Sequence, residues 1–250
     1  MGRLSESITV ILNCYKRPEY LEEQIKAIRD QSIPPENIWL WVNWSKENRK
    51  TKTYSLGLDK VFKSDSNCKY HARFAIGLLA RTKYVAYFDD DTIPGREWFE
   101  NCLYTMKETP GILGGAGCVL KSRYYVDHDR QGWPKLNEKT EAVDLVGHAW
   151  FMRREDLNYM WRETPYTFEN GEDIQLAYLA KKYGGVQCYC PPHPMGMPEL
   201  YSSLKGVQYG DDNKASSNGS LMSIPDFYEQ RDMCISHGLD NGWETVLGIK

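Results

Sequence analysis

The chain has 250 residues, 41% hydrophobic and 26% charged, which is enough apolar material for one large α/β domain or one domain with an appendage. With 34 acidic against 31 basic side chains the formal net charge is −3. That balance speaks against non-specific attraction to nucleic acid or membrane, though not against a local basic patch.

No segment approaches the ~18 consecutive apolar residues that span a bilayer. The polar start, Met1 to Glu6, leads straight into a strand, so no signal peptide is expected. The seven cysteines are odd in number, scattered and without zinc-site spacing. They read as small packing groups in a reducing, cytoplasmic setting.

In chain order, Ile8 to Asn13 is a short apolar run. A helix after Pro18 then places Leu21, Ile25 and Ile28 on one face. Pro34-Pro35 breaks it, and Ile38 to Val42 gives a second strand. This strand–helix–strand opening predicts a parallel sheet with crossover helices. Residues 44–68 are polar and lysine-rich, with a short strand near Val61-Phe62. A helix over Tyr70 to Ala80 is expected to bury Ala72, Ile76, Leu79 and Ala80. Strand Tyr84 to Phe88 ends in Asp89-Asp90-Asp91, and Pro94-Gly95 opens a helix burying Phe99, Cys102, Leu103 and Met106.

Further strands are expected at Ile112 to Leu120, Ala142 to Phe151 and Gln187 to Cys190, with a loop over 121–140. A helix begins over Glu169 to Asp173 and runs to about Tyr183, stopped by Gly184-Gly185. A last helix near Pro225 has Ser223 as cap and Gly238 as terminator. Residues 1–195 read as the main domain. Residues 196–250 read as an extension packed on it, with a lid-like loop over 196–222.

Three carboxylates at the end of a buried strand repel one another unless a cation sits among them. Hard oxygen ligands suit Mg²⁺ or Mn²⁺. By itself the triplet is equally well a solvated turn that opens a helix. Glu172-Asp173 at a helix start is likewise explained by capping alone.

The order of these pieces resembles the GT-A glycosyltransferases: Thr9 to Arg17, Trp41-Val42-Asn43, Asn67, Arg73-Phe74, the Asp89–Asp91 triplet with its Asp-X-Asp pattern, Val143 to Phe151, and Gly171-Glu172-Asp173-Ile174. Within them the chain looks closest to exostosin-type domains, with family 2 enzymes also similar. Asn43 stands where family 2 enzymes usually carry an aspartate. The resemblance implies a Rossmann-like sheet binding a nucleotide sugar, a UDP-sugar first, with Mn²⁺ or Mg²⁺. Tyr15, Arg17 and Asn43 would then line the nucleotide pocket, and Asn67 and Arg73 would contact nucleotide or diphosphate. Asp89 and Asp90 would face ribose and sugar, with Asp91 and His193 on the metal. Asp173, with Glu172 beside it, would be the acceptor-side catalytic carboxylate.

The acceptor would be a hydroxyl of a glycan, a lipid-linked sugar, a protein or a modified DNA base. A sugar nucleotidyltransferase and an inactive nucleotide-sugar-binding module are the alternatives. His148, mid-strand, reads as a packed core residue. Lys46, Arg49, Lys50, Lys52, Lys60 and Lys63 form a solvated face or an acceptor surface. Trp133, Trp161, Tyr166 and Phe168 are candidate stacking rings for a sugar.

Overall fold

Strand β1 (Ile8–Cys14) is buried on both sides, and its neighbours follow from that. It pairs in parallel with β2 (Asn37–Val42) and β4 (Tyr84–Phe88), and β2 pairs in parallel with β3 (Lys60–Lys63). These partners need crossovers: α1 (Leu21–Arg29) joins β1 to β2, a helix-free segment over 43–59 joins β2 to β3, and α2 (His71–Gly77) joins β3 to β4. The computed structural model describes residues 6–210 and 226–250.

Beyond β4 the sheet turns mixed. After α3 (Trp98–Glu108) come β5 (Ile112–Leu120), β6 (His128–Gly132), β7 (Glu141–Val143) and β8 (Leu145–Arg153). Then follow α4 (Glu172–Gly184), β9 (Cys188–Cys190), α5 (Gly206–Gly210) and α6 (Phe227–Asp240). The strand order is β3-β2-β1-β4-β8-β5-β9-β7, with β6 on β5. The result is an α/β domain with a Rossmann-like parallel part, flanking helices and a C-terminal helical extension.

Two apolar layers cover the sheet. Val10, Leu12, Ile25, Phe88 and Phe99 share one, and Ile11, Phe74, Tyr87, Trp150 and Leu176 the other. Alternate β1 residues thus feed opposite layers, as a sheet covered on both faces requires. The C-terminal extension joins the second layer through Cys234, Ile235 and Trp243.

The structure corrects four expectations. The 121–140 segment contains β6, whose polar sequence His128-Asp129-Arg130-Gln131-Gly132 carries no apolar alternation. The single strand expected over 142–151 is two, because the chain changes partner at Asp144. There β7 leaves β9, and the Asp144 N–H reaches the Cys118 carbonyl of β5 at 2.8 Å. Helix α2 buries His71, Arg73, Phe74 and Gly77, while Leu79 is exposed. Its inner face is set by where Arg73 must go. Gly238 lies inside α6 and leaves room for the Trp243 ring, so the helix runs on to Asp240. Ser223 and part of the lid-like 196–222 segment fall outside the described residues.

No helix among the described residues is long and apolar enough to cross a membrane. All seven cysteines are free, and every one but Cys68 is buried.

Candidate active site

Parallel strands β1 and β4 end side by side, and the site grows from their C-terminal ends, where open α/β sheets take their ligands. After β1 the chain turns through Tyr15, Lys16 and Arg17. All three backbone N–H groups donate to Asp90 Oδ2, at 3.3, 3.0 and 3.2 Å. Arg17 Nη1 donates to Asp90 Oδ1 at 3.0 Å and lies 3.4 Å from Asp91 Oδ2. Both Asp90 oxygens are therefore engaged in shaping the β1 turn. From α1, Gln24 Nε2 donates to the carbonyls of Asp89 and Thr92 at 2.7 and 2.8 Å. The triplet is clamped from two directions before any ligand arrives.

The register between β4 and β8 explains the next contact. Phe88 pairs with Ala149, so Asp89 follows directly opposite His148, and its N–H donates to the His148 carbonyl at 3.0 Å. His148 has φ +65°, a left-handed conformation rare for a residue other than glycine. It sits where the β5–β8 register shifts between Gly114 and Ala116, and such a bulge re-aims a side chain. One donor atom from each of Asp89, Asp91 and His148 lies within 4.8 Å of the others. His148 Nδ1 is 4.0 Å from Asp89 Oδ2.

Two carboxylates and an imidazole form a donor set suited to a divalent cation. Burial raises the Asp91 carboxyl to about 7, with the charges of Asp89 and Asp90 adding to it. Burial lowers the His148 imidazole to about 4, leaving it neutral and able to ligate. Gly210, at the end of α5, comes so close that a Cβ there would lie 2.8 Å from Asp91 Oδ2.

Arg73 joins this cluster to the second pair of acids. Its Nη1 pairs with Asp89 Oδ1, and its Nη2 reaches Glu172 Oε1 at 3.0 Å. Burial would lower the Arg73 guanidinium, but the Asp89 and Glu172 carboxylates outweigh it and hold the charge. The plane of Arg73 also lies over the Trp150 ring at 4.6 Å. Burial pushes the Glu172 carboxyl up to about 7, helped by Asp173 and opposed by Arg73.

Asp173 is held by a residue from the far end of the chain. Arg231 Nη2 of α6 donates to Asp173 Oδ2 at 2.6 Å, both side chains being buried. Asp173 Oδ1 accepts the Ile174 N–H at 2.9 Å. Gly171 allows this approach, since it takes φ +75° and a Cβ there would lie 2.6 Å from Cys234 Sγ of α6.

One cavity of about 910 Å³ holds both acidic groups. It runs from Tyr15 and Arg17, past Asp89, Asp91 and His148, to Cys118 and Arg130. Glu172, Asp173 and Arg231 border it as well.

Several expected residues lie elsewhere. His193 is buried with both ring nitrogens used: Nδ1 meets the Pro191 carbonyl at 2.9 Å, and Nε2 meets Ser202 Oγ at 3.0 Å and its N–H at 3.2 Å. Its Nε2 lone pair is thus directed at Ser202, and His193 is absent from the acidic–imidazole group. Asn43 does not line the cavity. It braces the loop below, donating to Asn67 Oδ1 and the Lys69 carbonyl and accepting from the Cys68 N–H. Asn67 in turn donates to the Tyr15 hydroxyl at 2.9 Å.

Of the four candidate stacking rings only Trp133 borders the cavity, and none of the six basic residues between 46 and 63 does. Sequence reading missed Gln24, Arg231 and the part played by His148. The signal for His148 was its place opposite the triplet, which needs the β4–β8 register. Arg231 and Gln24 carry no local signal.

Residues 9–161, more than half of the chain, match the family described as glycosyl transferase family 2. No curated protein sequence matches significantly. Among solved structures, the crystal structure of S. aureus TarS is similar at TM-score 0.53 and 14% identity, over 94% of this chain and 43% of that one. The chain thus spans less than half of that protein's length, and at such identity the likeness concerns the fold. Of the two resemblances drawn from the sequence, exostosin-type and family 2, the family match falls on the second. A Rossmann-like sheet, a partly buried Asp-Asp-His cluster at its C-terminal edge and this match agree, and the chain belongs to glycosyl transferase family 2.

Proposed function

We propose that the chain transfers a sugar from a nucleotide sugar, a UDP-sugar first, to a hydroxyl acceptor, with Mn²⁺ or Mg²⁺ bound by Asp89, Asp91 and His148. The observation that carries this reading is one cavity holding that cluster and the Glu172-Asp173 pair, tied together through Arg73. When bound, the cation would act as a Lewis acid on the departing diphosphate. Its fit is supported by the donor set and by the raised Asp91 carboxyl, which a cation would relieve.

The chain's own residues have separable tasks. Tyr15, Lys16 and Arg17 form the nucleotide end, shaped by Asp90. That the nucleotide is UDP rests on the resemblance of this turn and of Asn67. Arg17 and Arg73 add positive charge where the diphosphate would lie, as developing negative charge requires. Asp173, oriented by Arg231, accepts the proton of the acceptor hydroxyl as its oxygen bonds to the anomeric carbon. The bond from that carbon to the diphosphate oxygen breaks, and UDP departs with the electron pair. On this reading residues 1–195 bind the donor, and 196–250 contribute Arg231 to the acceptor side.

The test is incubation with Mn²⁺ and a panel of UDP-sugars, with UDP release measured. Release with at least one sugar is expected. Absence of both UDP release and tight sugar-nucleotide binding would defeat the proposal.

A further inference from the structure

Four guanidiniums border the cavity, and among the described residues three of them meet carboxylates. Arg17 pairs with Asp90 and Asp91, Arg73 with Asp89 and Glu172, and Arg231 with Asp173. The fourth is Arg130. Among the described residues it forms no ion pair, and its hydrogen-bond contact is with Cys118 Sγ at 4.0 Å, a weak acceptor at long range.

Arg130 is half-buried on β6, opposite Cys118 of β5, in a stretch of wall formed by Tyr125, Val126, Trp133 and Pro134. A half-buried permanent cation beside rings and a proline, meeting no carboxylate among the described residues, is placed to take an anionic ligand.

Position separates Arg130 from the diphosphate end. The strands run β1, β4, β8, β5, β6 across the cavity floor. At about 4.8 Å per strand, β6 lies roughly 19 Å from β1 and about 10 Å from β8. The nucleotide turn is on β1 and the Asp-Asp-His cluster is on β4 and β8, so Arg130 lies beyond them, on the side opposite the nucleotide.

We infer that Arg130 is the anchor of an acceptor subsite for an oxyanion, so that the acceptor is a hydroxyl compound carrying a phosphate or a carboxylate. The inference rests on the transferase reading, which places donor and acceptor at opposite ends of the cavity. Arg130's planar fork suits both groups, which it can take in bidentate fashion. The Trp133 ring lines the same cavity and would contact the carbon skeleton to which the anion is attached.

The test uses the full chain with UDP and Mn²⁺ present and titrates three probes by calorimetry: D-glucose, D-glucose 6-phosphate and D-glucuronate. The two anions should bind at least about tenfold more tightly than glucose. Whichever is tighter says whether phosphate or carboxylate is preferred. Arg130→Gln should abolish the difference and Arg130→Lys should keep part of it. Since Arg130 meets no carboxylate among the described residues, both variants should melt where the parent does.

Equal or absent binding of all three probes to the parent protein would overturn the inference, as would an unchanged anion preference in Arg130→Gln. If Arg130→Gln instead weakens UDP binding, Arg130 serves the diphosphate and the acceptor assignment fails. If it weakens UDP-glucuronate binding but not UDP-glucose binding, the anion belongs to the donor sugar, and the assignment fails again. Failure of UDP itself to bind the parent protein would defeat the transferase reading, a result separable from all of these.

Discussion

At the scale of single residues, the proposed function assigns binding to one acidic group and turnover to the other. Asp91→Asn should weaken Mn²⁺-dependent UDP binding by about tenfold or more, because a ligating charge is lost. Asp173→Asn should leave that affinity in place and lower turnover by about 10²–10⁴-fold, the usual contribution of a general base. Equal UDP affinity in Asp91→Asn and the parent protein would contradict the metal assignment. The two histidines provide a sharper comparison. His148→Gln should cost metal-dependent UDP affinity on a scale of about tenfold. His193→Gln should leave that affinity alone, because its ring nitrogens are occupied by Pro191 and Ser202.

Glu172 gives a pH test on the metal-free protein. Its carboxyl is raised to about 7 in the folded chain, against about 4.3 unfolded. The fold therefore favours the protonated form. The stability this contributes is complete below pH of about 4 and is lost as pH rises through about 7. Glu172→Gln removes that titration, so its melting temperature in EDTA should fall less between pH 5 and 8 than the parent's. Identical slopes would mean that Glu172 is not held protonated.

At the scale of elements, α6 is the surprise of this molecule. A C-terminal helix places Arg231 on Asp173 of α4, inside a site whose carboxylates all come from the first 173 positions. Arg231→Met would leave a buried carboxylate without its partner, and a loss of about 3–5 kcal/mol is expected in denaturant unfolding. Arg231→Lys should recover part of it, and turnover should follow the same order. If Arg231→Met unfolds like the parent, the ion pair does not order Asp173.

The parallel half of the sheet was legible in the sequence because its strands are short apolar runs separated by amphipathic helices. The Asp89–Asp91 and Glu172-Asp173 groups were legible because they sit at the ends of such elements. What escaped depends on contacts between distant segments. Strand β6 is polar throughout, so periodicity is silent there. His148 looks like a core residue until the register sets it opposite Asp89. His193 looks like a ligand until Ser202 and Pro191 are seen to occupy it. In α2 and the turn after it Ala72, Ile76 and Ala80 pack inward as their hydrophobicity suggests, but Leu79 is exposed, and the burial of Arg73 between two carboxylates has no apolar signal.

At the scale of the whole molecule, charge compensation links these parts. The carboxylates of Asp89, Asp90, Asp91, Glu172 and Asp173 meet only Arg17, Arg73 and Arg231 in direct ion pairs among the described residues. Burial raises two of these carboxyls, Asp91 and Glu172, to about 7, and the neighbouring carboxylates add to it. A divalent cation at Asp89, Asp91 and His148 would answer it on the donor side, leaving Arg73 to join both halves. The most direct measurement is calorimetric titration of UDP into the metal-free chain at pH 8, in EDTA and then in Mn²⁺. UDP should bind at least about tenfold more tightly with Mn²⁺. Equal affinity in both conditions, or no UDP binding in either, would contradict a metal-assisted nucleotide-sugar site at the Asp89–Asp91 edge of the sheet.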